Sequence, residues 1–208
     1  MKKLYIVGAG DLGREIESWI DLYSSDKDNF KIIGYIDDNP DALVGYPSEY
    51  EVVGNINDFE FDRNDWIILA IANPSTKEKV YRKLIDRTNL YTFISSNATI
   101  GKFVDIGEGS IILPNSVIST NVKLGKCVII NIGTQIGHDA IIEDFCSLMP
   151  NVDLGGGVHI GNKTYIGSNA TLIPQISLVD NVRIGAGSIV VNSIRKSQTV
   201  FGNPAKKI

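Results

Sequence analysis

From Ile94 to Val190 an aliphatic residue falls at every sixth position without a break, running through Ile100, Ile106, Ile112 and on to Leu172, Leu178 and Ile184. The position four residues after each is confined to Ala, Val, Ser, Thr, Cys or Ile from Ala98 to Ile194, and glycine often follows the aliphatic residue directly. A helix repeats its buried face about every 3.6 residues and a strand about every 2, so neither accounts for a period of six. A backbone wound as a triangular prism does: each flat side is one hexad long, with the aliphatic residue inside and the small one near the corner. Hexapeptide repeats of this kind belong with parallel β-helices. Coils of three hexads would stack at roughly the inter-strand spacing, about 4.8 Å. At about 1.5–3 kcal/mol for each buried aliphatic side chain, the inner column outweighs local propensity, and stability becomes a sum of coil-to-coil contributions. No inserted loop interrupts the hexads, so smooth apolar sides are expected, suited to packing against other copies of the chain.

A different pattern precedes the repeat. Leu4-Tyr5-Ile6-Val7 reads as a buried strand, Gly8-Ala9-Gly10-Asp11-Leu12-Gly13 as a glycine turn, and Leu12, Ile16, Trp19, Ile20 and Tyr23 as one face of a helix. A second strand over Ile32 to Ile36 ends in Asp37-Asp38, and the spacing of Asp37 from the turn suits a ribose contact. Trp66 to Ile71 resembles a central parallel strand, and Ser75 with Glu78 predicts a capping box opening a helix that contains Val80, Tyr81 and Leu84. The turn lies between a strand and a helix, where its glycines let backbone approach an anion and the helix N-terminus offers free N–H donors. A tight structural turn is the alternative reading. The unit is half a dinucleotide fold, which suits one nucleotide, hence a nucleotide-sugar, better than NAD.

Composition narrows the classes. The 208 residues have room for one or two domains, and 43% hydrophobic with 21% charged residues is ordinary for a globular chain. A formal net charge of -4 argues against a nucleic-acid partner. Cys127 and Cys146 are too few for a disulfide framework and fit a reduced interior. The apolar run after Met1-Lys2-Lys3 is too short for a signal-peptide core or a membrane span, so a soluble cytoplasmic protein without membrane insertion is expected.

Few residues could carry chemistry. His138 is the third residue of its hexad and therefore lies outside the prism. One coil is 18 residues, so Gly156 stacks over His138 and Gly157 over Asp139. The run Gly155-Gly156-Gly157 would leave a pocket against the imidazole and expose backbone N–H groups to a developing oxyanion. An imidazole, with its ordinary pKa of about 6.5, accepts a proton near neutral pH, and a neighbouring carboxylate stabilises the imidazolium. Asp139 is the nearest carboxylate in sequence, with Glu143 on the following side. His159 has no comparable glycine neighbour and reads as a surface residue. Two histidines 21 residues apart do not match stacked positions, so no metal site is expected.

The repeat, the Gly8-Ala9-Gly10 opening, the stretch Asn131-Ile132-Gly133-Thr134-Gln135-Ile136-Gly137-His138-Asp139 and the closing Gly202-Asn203-Pro204-Ala205-Lys206 together resemble the NeuD/PglD-type sugar O- or N-acyltransferases. The resemblance implies a Rossmann-like nucleotide-sugar-binding domain over residues 1–92 and a left-handed parallel β-helix with a C-terminal tail over residues 93–208. It also implies a homotrimer, with acetyl-CoA as co-substrate in a groove between subunits. Position by position, His138 resembles the general base, Asp139 its acidic partner and Asn131 an asparagine near the reaction centre. Gly156 falls where a backbone amide meets the thioester carbonyl. Gly8, Gly10, Gly13 and Asp37 match the family's glycine turn and acidic strand end. Ser147 stands where relatives commonly have a second histidine and is assigned to substrate binding as a hydrogen-bond donor. Ala72-Asn73-Pro74 replaces a common glycine and asparagine.

The expected function is N-acetylation of a nucleotide-linked amino-sugar in bacterial surface-glycan synthesis, by direct attack on the thioester. Neither cysteine has an evident histidine partner for an acyl-enzyme. Two further readings stay open: O-acetylation of a sugar acid such as sialic acid, and a non-catalytic trimeric binding or scaffold protein, for which Ser147 is the main support. An NAD-dependent activity rests on the glycine motif alone.

Overall fold

The computed structural model describes residues 1–24 and 29–208. A parallel sheet of five strands comes first: β1 (Lys2–Val7), β2 (Phe30–Ile36), β3 (Val52–Gly54), β4 (Trp66–Leu69) and β5 (Asn89–Leu90), in the order β3-β2-β1-β4-β5. The order reverses between β1 and β4, the place where α/β sheets open a ligand crevice beyond the strand C-termini. Helix α1 (Asp11–Tyr23) packs through Gly13, Ile16 and Ile20, which share one buried stripe. Helix α2 (Pro74–Leu84) starts earlier than a capping box at Ser75 predicts. Asn73 is the N-cap, its side chain accepting the Thr76 N–H, and Pro74 takes the first helical position, where a missing N–H costs nothing. Glu78 instead pairs with Arg82 at 2.7 Å and with Lys163 of the repeat at 3.0 Å.

From Phe93 onward the chain is a parallel β-solenoid. Its strands of two residues pair with partners 18 positions on, as in Val117 with Gln135, Lys123 with Ile141 and Ile129 with Ser147. The hexad aliphatics and the small residues beside them form one buried column. The corners have a period of their own: every sixth residue from Phe103 to Gly187, including Asn121, Asp139 and Gly157, has a left-handed backbone. Gly, Asn and Asp tolerate that conformation best, which explains their recurrence there. At the C-terminus Thr199–Phe201 and Lys206–Lys207 add an antiparallel pair that closes the end of the column, with Val200 buried in it.

The three sides are not equivalent. On one of them the outward residues Phe93, Ile111 and Ile129 are buried, and they share a cluster with Leu4, Ile16 and Tyr91. The α/β unit covers this wall. The apolar sides expected to meet other copies are thereby reduced to the remaining two. Among the described residues no helix is long and apolar enough to cross a membrane.

Candidate active site

His138 leaves the corner between the strand Gln135–Ile136 and the strand Ile141–Ile142. Its Nδ1 lies 2.7 Å from Asp139 Oδ2. The left-handed backbone of Asp139, φ 59°, lets a residue one position away reach that nitrogen. Hydrogen bonds from Asn121 and His138 hold the Asp139 carboxyl below its usual range, so it acts as an acceptor and Nδ1 carries the proton. Nε2 is left with a lone pair. It faces the next coil, where a Cβ built on Gly156 would lie 2.6 Å from it. The stacking of His138 under Gly156 thus has its counterpart in three dimensions. The glycine triplet offers fewer donors than its composition suggests. Gly155 N–H donates to the Leu172 carbonyl and Gly157 N–H to that of His138, so of the triplet's three N–H groups that of Gly156 is the one not committed to a backbone carbonyl.

The other carboxylate near His138 in sequence has a separate partner: Glu143 Oε1 lies 3.0 Å from His159 Nε2. Asn131 is at the other end of the Gln135–Ile136 strand, one corner before His138. It is buried, and its side-chain oxygen accepts the Ile132 N–H at 2.7 Å. Within one chain it does not meet His138. Ser147 is fully buried on the wall covered by the α/β unit, where its Oγ accepts a hydrogen bond from Lys77 Nζ at 2.9 Å. Lys77 is itself fully buried, donates also to the Cys146 carbonyl at 3.0 Å, and is pushed down to about 7 by burial. Burial pushes the Cys127 and Cys146 thiols up to about 12, which removes them as nucleophiles near neutral pH.

At the glycine turn the structure divides the roles. Gly8 has φ 101° and sits against the Ala70 carbonyl, and a Cβ on Gly13 would overlap the Gly8 carbonyl, so both serve close packing of turn, strand and helix. Only Gly10 borders open space. Asp37 bridges the glycine turn and its own strand end, one carboxylate oxygen accepting the Ala9 N–H at 2.7 Å and the other the Asn39 N–H at 2.9 Å. Sequence reasoning misses two groups beside it, Arg14 and Tyr46, whose guanidinium and ring stack at 3.8 Å. Beyond the strand ends, a cleft of 260 Å³ separates the start of α2 from the solenoid and is lined by Asn73, Ser75, Lys163, Tyr165 and Arg183. A wider concavity, 1180 Å³, lies at the opposite end of the sheet from the glycine turn, around Lys2, Phe30 and Trp66. Among the described residues no cluster of His, Cys, Asp or Glu is arranged to hold a metal ion.

Comparison with known proteins agrees with this architecture. Residues 3–84 match the family model for the PglD N-terminal domain, and residues 139–174 match that for the bacterial transferase hexapeptide of six repeats. A search of curated protein sequences returns no match. Among solved structures, the acetyltransferase domain of PglB from Neisseria gonorrhoeae FA1090 is 25% identical with a TM-score of 0.90, and all of both chains is covered. PerB from Caulobacter crescentus, solved in complex with CoA and GDP-perosamine, is 25% identical with a TM-score of 0.87, covering 100% of this chain and 98% of that one. WeeI from Acinetobacter baumannii AYE is 27% identical with a TM-score of 0.84 over the whole of both chains. In domain order, repeat and fold the chain is thus similar to the PglD-type sugar acetyltransferases, with a PglD-like N-terminal unit followed by hexapeptide repeats.

Proposed function

We propose that this enzyme transfers the acetyl group of acetyl-CoA to an amine of a nucleotide-linked sugar, in bacterial surface-glycan synthesis. The observation that carries the reading is the His138–Asp139 pair, 2.7 Å apart, with the free ring nitrogen directed at Gly156. In the reaction the amine nitrogen attacks the thioester carbonyl and forms the C–N bond while His138 Nε2 takes its proton. The Gly156 N–H faces the oxyanion. The C–S bond then breaks, and the proton on His138 passes to the departing CoA sulfur. No covalent acyl-enzyme is needed, consistent with two buried, fully protonated thiols.

The solved relatives support the choice of ligands: one PglB structure contains acetyl coenzyme A, and PerB contains CoA with GDP-perosamine. In this chain the glycine turn with Gly10, together with the basic cleft at Lys163 and Arg183, would take the nucleotide and its diphosphate. Both lie on a different side of the molecule from His138. A second copy must therefore supply the sugar to each imidazole, which favours a homotrimer with the site at the seam between protomers, where Asn131 would meet the reaction centre. Ser147, whose identity raises the non-catalytic reading, has a structural use in accepting the Lys77 hydrogen bond.

The test is release of free CoA in the presence of a panel of UDP-, GDP- and dTDP-amino-sugars, with sedimentation measured on the same preparation. One nucleotide amino-sugar is expected to support turnover by a trimer, and His138→Ala is expected to lower kcat about 10²–10⁴-fold without changing the melting temperature. Wild-type turnover in that variant would reject the assignment of the base. Acetylation of a free sugar acid alone would move the reading to O-transfer.

A further inference from the structure

We infer that Asn121, one coil before the His138 corner, is a positioning residue for the transfer reaction, holding the Asp139 carboxylate so that its second oxygen meets the imidazole. The inference rests on His138 being the base. Asn121 Nδ2 donates to Asp139 Oδ1 at 2.6 Å, and Asp139 Oδ2 meets His138 Nδ1 at 2.7 Å. The three side chains form a chain of contacts ending at the ring nitrogen beneath Gly156.

A purely structural role for Asn121 has to be weighed, because its backbone is left-handed, φ 58°, like the other corner residues, and asparagine is common at that position. Stacked corner amides also touch elsewhere, Asn97 with Asn115 at 3.5 Å and Asn162 with Asp180 at 3.2 Å. Two features set the Asn121 contact apart. It is the shortest of these, and its acceptor is the carboxylate that goes on to bind a histidine. About half of the Asp139 side-chain surface is open to solvent (53%), so packing does little to fix it. Without the amide it could turn toward water and leave Nδ1 without an oriented acceptor. The donor must be an amide: an aspartate at 121 would set two carboxylates against each other, and a glycine would keep the corner but remove the donor. The groups acting on the Asp139 charge are Asn121 and His138.

Asn121→Gly is the decisive variant, since glycine preserves the left-handed corner. The prediction is a kcat about 10–100-fold lower, the scale on which slight misplacement of a reacting group acts, with KM for acetyl-CoA and the melting temperature close to wild type. The acidic limb of the pH–rate profile should move to lower pH in Asn121→Gly, because the imidazolium loses an oriented counter-charge. It should move to higher pH in Asn121→Asp, which adds negative charge. In an Asp139→Ala background, Asn121→Gly should cost nothing further. An Asn121→Gly enzyme with wild-type kcat and an unshifted profile overturns the inference, as do losses that simply add to those of Asp139→Ala. Full turnover by His138→Ala would instead bring down the general-base reading, so the two failures are separable.

Discussion

At the scale of single residues, the site depends on what is missing at Gly156. Its φ is not in the left-handed region, so the backbone itself admits alanine, but the new methyl would lie 2.6 Å from His138 Nε2. The imidazole is exposed enough to swing aside. Under the proposed mechanism, Gly156→Ala should therefore fold with little loss of stability while its kcat falls by about 100-fold or more, because the displaced imidazole would no longer point at the reacting proton. Kinetics alongside a thermal melt check this, and an active, unperturbed variant would contradict the geometry. Counting 18 residues along the chain is enough to place Gly156 over His138. The same count leads from Asp139 back to Asn121, yet spacing alone does not reveal that contact. It depends on both corners being left-handed, which aims two side chains at each other along the solenoid wall. Spacing leaves the acidic partner open for a related reason: Asp139 and Glu143 are both near His138 in sequence, and only the side-chain directions assign Glu143 to His159.

At the scale of elements, α2 carries a polar residue in its buried stripe. Lys77, Val80 and Leu84 lie on one face, and Lys77 reaches the solenoid wall with only neutral acceptors, the Cys146 carbonyl and the Ser147 hydroxyl. Burial lowers its pKa to about 7, against about 10.4 for the unfolded chain. Between those values the unfolded state binds more protons, so stability rises as pH increases from about 7 to about 10.4 and the penalty is fully present below that window. Melting temperature should climb between pH 7 and pH 9 in the wild type, and the slope should flatten in Lys77→Met. An equal slope in both would show that Lys77 is not the titrating group. The helix pattern identifies Val80 and Leu84 as buried positions, but nothing in it marks Lys77, because a lysine with a free head would ordinarily snorkel to water. Its burial is decided by where α2 meets the repeat.

At the scale of the whole molecule, the two architectures share cores. One cluster joins Leu4, Ile6 and Ile16 to Phe93, Ile111 and Ile129, and another joins Val80, Leu84 and Leu90 to Cys127 and Phe145. The Lys163–Glu78 pair and the Lys77 contacts cross the same seam. A charge introduced there has no partner, and Ile129→Asp should destabilise both parts together by several kcal/mol. Calorimetry should show one transition for the wild type and one at lower temperature for the variant. Two separated transitions would mean that the seam is weaker than its burial implies. Such coupling also gives the docked α/β unit a fixed relation to the coils, so that any substrate held by it is presented at a set distance along the solenoid.

By itself the sequence determines the solenoid, its inner column and the His138–Gly156 stacking, because a period of six is a local geometric constraint that every coil repeats. The strand, glycine turn and helix at the N-terminus are legible for the same reason. Tertiary structure alone decides which wall the α/β unit covers, that Ser147 meets Lys77, that Asp37 accepts the Ala9 N–H of the glycine turn, and which carboxylate serves which histidine. Those outcomes turn on the directions of side chains brought together by docking and by left-handed corners, and neither periodicity nor spacing records direction.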